Sequence, residues 1–225
     1  MGEKKRAVAI DGPSGAGKST LARAVAGKLG FRYVDTGAIY RSVGYFAFSK
    51  GVDPSDWEAV MKLLPEISLE ISYDGDGLQH MSINGRDVTR EIRLPEISMY
   101  ASRVSAIPAV RDFLMETQRS MARTHDVIMD GRDIGTVVLP GADVKIFLTA
   151  TPEDRAMRRY LELKERGTPQ DYNKLLTEIR ERDYNDSHRS AAPLRPAEDA
   201  VVLDTTGNTF EQSFQLLLHT IEERL

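Results

Sequence analysis

Short apolar runs alternate with helix-patterned stretches along this chain, and their order predicts an α/β architecture. Ala7-Val8-Ala9-Ile10 is wholly apolar and of strand length, the pattern of a strand buried on both faces of a parallel sheet. Leu21 to Ala26 continue as a helix that Gly30 closes, and Phe31-Arg32-Tyr33-Val34 form a second strand ending in Asp35. The next helix covers 38–49 and is ended by Gly51 and Pro54; Tyr40, Val43 and Ala47 share one of its faces, and Arg41 points elsewhere. Three more core strands fall at 126–130, 145–148 and 200–204. The rhythm breaks once. Leu69, Ile71 and Tyr73 alternate with polar residues, Asp74-Gly75-Asp76-Gly77 is turn chemistry, and His80 to Ile83 lead into the hairpin pair Asn84-Gly85, so a small antiparallel sheet is inserted here.

Helices are expected over 91–105 and over 108–123, the second opened by Pro108. Thr151-Pro152-Glu153-Asp154 starts another, which carries Arg155, Arg158 and Arg159 and stops near Gly167 in the manner of a hinged lid. Tyr172, Leu175, Leu176 and Ile179 make the apolar stripe of the following helix, and Arg182, Asp186 and Arg189 continue the same face. That charged row reads either as a surface ion-pair ladder or as the floor of a cleft. Thr209 and Gln212 form a capping box for a last helix running to Leu225.

The most specific chemical signal lies between the first strand and its helix. Gly12-Pro13-Ser14-Gly15-Ala16-Gly17-Lys18-Ser19 has the pattern G-x-x-x-x-G-K-S, with Thr20 following. Glycines let backbone N–H groups turn toward phosphates, the lysine reaches the terminal phosphates, and the serine hydroxyl can hold Mg2+. A nucleoside triphosphate is therefore expected on Gly12 through Thr20. Asp130 ends a core strand, where an acid orients the water shell of Mg2+ in phosphate-loop proteins; Gly131 follows it, not the glutamate with which many ATPases activate water, and this argues against a hydrolase.

Composition narrows the class further. At 225 residues, one α/β core with inserted lobes is the natural reading. A formal net charge of −4 argues against nucleic-acid binding through a broad basic surface. Without cysteine there is no disulfide, thiolate metal site or cysteine nucleophile, and His80, His125, His188 and His219 lack zinc spacing. Residues 1–6 are polar with no apolar run behind them for a leader or a membrane span, so the expected location is the cytoplasm.

The phosphate loop, Asp35-Thr36-Gly37-Ala38-Ile39-Tyr40-Arg41, Asp130-Gly131-Arg132-Asp133-Ile134-Gly135-Thr136 and Glu181-Arg182-Asp183-Tyr184-Asn185-Asp186-Ser187-His188-Arg189 together resemble the bacterial cytidylate kinases, in order and spacing, over nearly the whole chain. The resemblance implies a three-layer α/β/α P-loop fold with a five-stranded parallel sheet, a small antiparallel NMP-binding lobe and a helical lid. The core would be 1–35, 106–150 and 198–225, the lobe 36–105 and the lid about 155–190. It further implies transfer of the ATP γ-phosphate to CMP or dCMP with Mg2+, in pyrimidine nucleotide metabolism, by a monomer without nucleic-acid or membrane partners. Carried over by position, Arg41, Arg132 and Arg189 would hold the acceptor phosphate, and Arg182 and Asp186 the sugar hydroxyls. Ser102, Arg111 and Asp133 match residues that read cytosine, and Thr36, where some relatives have serine, keeps a hydroxyl for a sugar or phosphate contact. Lys18, Arg132, Arg189 and one lid arginine, taken as Arg158, would be the catalytic set. Cytosine offers an amino donor beside two acceptors, which a carboxylate, a hydroxyl and a guanidinium can satisfy; uracil inverts the donor. Two other readings stand beside this one. A nucleotide switch would carry an N/T-K-x-D motif, and the nearest string, Asn173-Lys174-Leu175-Leu176, lacks the aspartate; a kinase of UMP, AMP or a non-nucleotide acceptor would differ only in the pocket.

Overall fold

A computed structural model describes residues 4–225; of the polar stretch expected to lack a leader, residues 1–3 lie outside the described residues. The chain divides into two compact units, Met1–Phe31 with Asp126–Leu225, and Arg32–His125. In order it runs β1 (Ala7–Asp11), α1 (Lys18–Leu29), β2 (Arg32–Asp35), α2 (Thr36–Ser49), α3 (Trp57–Leu63), β3 (Leu69–Tyr73), β4 (Gln79–Ile83) and β5 (Arg86–Asp87). It continues with α4 (Pro95–Val104), α5 (Pro108–Thr124), β6 (Val127–Gly131), β7 (Val144–Thr149), α6 (Pro152–Glu165), α7 (Tyr172–His188), β8 (Val201–Asp204) and α8 (Phe210–Glu222). The main sheet has five strands in the order β2-β6-β1-β7-β8, and a separate sheet has three, β3-β4-β5.

In the unit formed by the chain's two ends, β1 pairs in parallel with β6 on one side and β7 on the other, and β8 extends the sheet from β7. All five residues of β1 and of β6 are buried, as their apolar runs require of central strands. Ile10 lies opposite Asp130 and Asp11 opposite Gly131, so the phosphate loop and the Asp130 segment leave the sheet side by side. This is the carboxyl edge, where open α/β sheets collect ligands. At the other end of the chain, Thr209 and Gln212 make both bonds of the expected capping box of α8.

The unit of residues 32–125 is built on α2 and α4, which pack closely. A Cβ on Gly44 would lie 2.9 Å from the Ala101 backbone nitrogen, so the approach of the two helices depends on glycine. Its sheet is antiparallel, with Leu69 opposite Ile83 and Ile71 opposite Met81. Asn84 and Gly85 both have positive φ, 52° and 77°, the geometry of a tight hairpin turn; they connect β4 to the short β5, a strand the pattern of polarity did not reveal.

Two expectations are corrected. The helix expected over 91–105 is broken: Glu91–Arg93 form a 3-10 turn, and α4 begins only at Pro95. Proline has no N–H to give and pushes the residue before it, Leu94, into an extended conformation at ψ 143°. The apolar stripe of α7 is also less of a core face than its spacing suggested, because only Leu175 and Asp186 are buried on that helix.

Candidate active site

The phosphate loop starts where β1 meets β7. Gly12 has φ +149°, and a Cβ there would stand 2.0 Å from the Leu148 carbonyl oxygen, so only glycine can open the loop against β7. Gly17, at φ 84°, turns the chain into α1, whose first N–H groups form a ready anion cradle. The Lys18 side chain is buried, and its Nζ donates to the Pro13 carbonyl at 2.7 Å. Burial and then the charge of Arg132 push its ammonium well below the usual lysine range, with Asp130, Asp11 and Asp186 pulling the other way. One residue on, Ser19 Oγ donates to Asp130 Oδ2 at 2.8 Å, which places a hydroxyl and a carboxylate together beside the loop.

Asp11, directly before Gly12, takes a part that sequence reasoning missed. Its two carboxylate oxygens accept the N–H groups of Ile134 and Gly135 at 2.7 and 2.8 Å. These bonds anchor the start of a π-helical turn, Ile134–Val138, immediately after Arg132 and Asp133. Burial raises Asp11 to about 6, helped by nearby Asp133 and opposed by the two N–H groups and Lys18. The available signal was an acid at the end of a fully apolar strand, where a charge is tolerated only with partners.

Arginines and carboxylates meet in pairs around this edge. Arg132 Nε donates to Asp186 Oδ2 at 2.8 Å. Burial pushes the Asp186 carboxyl up, but Arg132, Arg182 and Arg189 outweigh it and hold the group below the usual carboxylate range. Arg189 lies 3.5 Å from Asp133 Oδ1 and donates through Nε to the Ala192 carbonyl at 2.7 Å. The three arginines of α6 have separate surroundings. Arg155 is buried, donating to Ser14 of the loop and to Asp183 of α7. Arg158 binds Asp154 and the Thr205 carbonyl, both at 2.6 Å, with its Nη1 against Gly17, and Arg159 pairs with Glu162 on the surface.

In the unit of residues 32–125, Thr36 is the buried first residue of α2, behind Asp35, whose side chain accepts the Ala38 N–H. Arg41 donates to the Ile92 carbonyl and to Ser98 Oγ, at 3.2 and 2.9 Å. Ser102 lies one turn further along α4, and its carbonyl accepts from Ser105 Oγ. Arg111 is buried; it donates to the Ser105 carbonyl at 3.2 Å and stands 5.6 Å over the Tyr40 ring. Gln79 brackets the Asp35 peptide with both ends of its amide, and Arg93 donates to the Asp35 carboxylate at 2.8 Å.

The sequence model of the family described as cytidylate kinase matches residues 8–223. This chain belongs to that family. It is 50% identical over 215 residues to the cytidylate kinase of Caldicellulosiruptor bescii, a match covering 96% of this chain and 95% of that protein. It is 46% identical over 217 residues to the cytidylate kinase of Lactobacillus johnsonii, covering 96% and 94%. Among solved structures, an uncharacterized protein from Eubacterium ventriosum aligns over 98% of this chain and 100% of its own with a TM-score of 0.51 at 9% identity, a likeness of fold alone.

For a cytidylate kinase the structure groups the expected residues in two sets. Lys18, Ser19, Asp130, Arg132, Asp133, Arg158, Arg182, Asp186 and Arg189 belong to the unit of the chain ends, and Thr36, Arg41, Ser102 and Arg111 to the unit of residues 32–125. Besides Asp11, sequence reasoning missed Asp183, Ser98 and Arg93. All three are exposed or half-exposed polar residues on helical segments, with nothing in their spacing to mark them. Asn173 and Lys174, the nearest string to a guanine-reading motif, are exposed in the first turn of α7.

Proposed function

We infer that this protein is an ATP-dependent CMP kinase, transferring the γ-phosphate of ATP to CMP to give CDP and ADP. The observation that carries this is family membership along almost the full chain, at 50% identity to a curated cytidylate kinase. An intact phosphate loop supports it. dCMP is proposed as a second acceptor, because a contact to the sugar through Arg182 and Asp186 does not by itself demand a 2′-hydroxyl. The wider reading is a cytoplasmic monomer serving pyrimidine nucleotide metabolism; among the described residues no helix is long and apolar enough to cross a membrane.

The chemistry requires no general base, since a nucleoside monophosphate already presents an anionic oxygen at neutral pH. The protein must instead offset repulsion between phosphates and stabilise charge on the transferring group. Lys18 is suited to this. Buried, and disfavoured as an ammonium by that burial and by Arg132 despite the nearby Asp130, Asp11 and Asp186, it gains from an arriving phosphate what the Pro13 carbonyl supplies only as a dipole. The N–H groups of Gly12 through Thr20 would cradle the triphosphate. Arg41, Arg132 and Arg189 would hold the acceptor phosphate, with Arg158 of the α6 and α7 lid closing on the γ-phosphate. Asp133, Ser102 and Arg111 would read cytosine, Arg182 and Asp186 the sugar, and Thr36 the sugar or phosphate.

Ser19 and Asp130 fit Mg2+, being two hard oxygen donors already 2.8 Å apart. Among the described residues no group of three or more His, Asp or Glu side chains could hold a metal, so the ion would keep much of its water shell, with Asp130 acting through a water. When bound, Mg2+ supplies charge neutralisation across the β- and γ-phosphates.

The test is ADP release with ATP, Mg2+ and, one at a time, CMP, dCMP, UMP, AMP, GMP, cytidine and no acceptor. Release with CMP or dCMP and little without acceptor is expected. Release with UMP or AMP would overturn the roles of Ser102, Arg111 and Asp133. Acceptor-independent release, or none, would overturn the kinase itself.

A further inference from the structure

Arg155 is the most deeply buried of the α6 arginines, and four of its five N–H donors are engaged. Nε donates to the Ala150 carbonyl at 2.8 Å, and Nη1 to the Ser14 carbonyl at 2.9 Å and Asp183 Oδ1 at 3.0 Å. Nη2 donates to Asp183 Oδ2 at 2.6 Å. The stem packs on the loop as well, since a Cβ at Gly15 would touch Arg155 Cβ at 3.5 Å.

Each partner has a consequence. The Ser14 carbonyl shares its peptide plane with the Gly15 N–H, so a guanidinium on that oxygen fixes where the N–H points and polarises it as a donor. Asp183 lies in α7 beside Arg182 and three residues before Asp186. A bidentate bond to a buried guanidinium therefore sets the rotation and position of the helix that carries both. We propose that Arg155 and Asp183 are a positioning pair that holds the phosphate loop and α7 in one arrangement, so that loading of the loop and alignment of the acceptor residues on α7 are coupled. This rests on the functional reading given above, in which Arg182 and Asp186 serve the acceptor. Neither member of the pair touches the reacting atoms in this scheme.

The test compares Asp183→Asn, Asp183→Glu and Arg155→Lys with the wild-type enzyme, each checked for folding by circular dichroism and thermal melting. Asparagine keeps the size of Asp183 and one acceptor, and lysine keeps the charge of Arg155 while losing its fork of donors. In Asp183→Asn, kcat/KM for CMP is expected to fall by about 10–100-fold. Its dissociation constant for ADP alone, by calorimetry, should stay within about threefold, because the Ser14 bond survives. Asp183→Glu should recover part of the loss. Arg155→Lys should weaken ADP binding by about tenfold as well as turnover, having lost the fork that serves Ser14 and Asp183 together. Wild-type kcat and KM in Asp183→Asn, with only a lowered melting temperature, would overturn the proposal and leave a purely structural ion pair. So would unchanged ADP affinity in Arg155→Lys. A wild-type protein that transfers nothing to CMP would sink the functional reading separately, and the ADP affinity of Arg155→Lys would still decide whether the pair positions the loop.

Discussion

Replacing Asp11 by asparagine should change the stability of this protein in a pH-dependent way, with a sign opposite to that of carboxylates held ionised by a cation, such as Asp186 beside Arg132. Burial raises Asp11 from the ordinary 3.8 to about 6, so between these values the folded protein binds a proton that the unfolded chain has lost. Its contribution to stability is present below 3.8 and is lost as pH rises through 6. At roughly 1.4 kcal/mol per pH unit, the whole gap amounts to about 3 kcal/mol, of which about 1.4 kcal/mol falls between pH 5 and pH 8. Asparagine has the same size and does not titrate. Its amide oxygen can accept one of the N–H groups of Ile134 and Gly135, while its NH2 opposes the other, a loss that is the same at every pH.

Urea unfolding of both proteins at pH 5, 6, 7 and 8, with equal m-values as the check on two-state behaviour, isolates the carboxyl. The wild type should lose about 1.4 kcal/mol relative to Asp11→Asn across that range, mostly below pH 7. A difference constant with pH would refute the reasoning. That constancy would show that the two N–H bonds outweigh burial and that Asp11 is ionised in the folded protein throughout the range.

Three other outcomes follow from local geometry. Gly12→Ala should fail to accumulate as folded protein, or melt far below the wild type, because its Cβ would overlap the Leu148 carbonyl oxygen; a soluble variant with an unchanged melting curve would contradict the packing of the loop on β7. Thr209→Ala removes one half of the α8 capping box and should cost about 1 kcal/mol, or roughly 2–4 °C, with kcat unaltered in the same preparation. Asp133→Ala should lower kcat/KM for CMP by at least about 100-fold while ADP affinity by calorimetry is retained, and equal CMP kinetics would remove Asp133 from the pocket.

Much of the fold was legible because its central strands β1 and β6 are buried on both faces and so carry apolar runs. β7, with alternate residues buried, was marked by Ile146, Phe147 and Leu148, and the loop between β1 and α1 has a pattern that little else produces. The capping residues Thr151 and Thr209 marked their helices for the same reason: the chemistry that satisfies a helix N-terminus is local in sequence. What escaped was non-local. The short β5 has only two residues and both are exposed, so no alternation could announce it. Arg155 was visible as one of three arginines on a helix, but its selection by burial depends on Asp183, 28 residues away, and on a carbonyl 141 residues away. Asp11 likewise meets its partners 123 and 124 residues on. Spacing along one element cannot carry such pairings.

A site built to receive polyphosphates must also persist without them, and the pairs around the β1 edge explain how. Guanidinium groups gathered with a buried ammonium would repel one another in a poorly solvated place. Here Asp186 stands against Arg132, Asp133 near Arg189, and Asp183 against Arg155, so carboxylates occupy the role that phosphate oxygens would take. The arrangement does not have to be dismantled for phosphate to bind. Asp186 engages only Nε of Arg132, and Nη1 of that arginine leans on the Gly131 carbonyl at a long 3.3 Å. The outer edge of the same guanidinium can therefore turn two donors to a phosphate while the inner edge keeps its carboxylate. Arg155 differs in this respect. Both of its terminal nitrogens are already committed, to Ser14 and to Asp183, which is why it acts on the loop's shape and not on the phosphate.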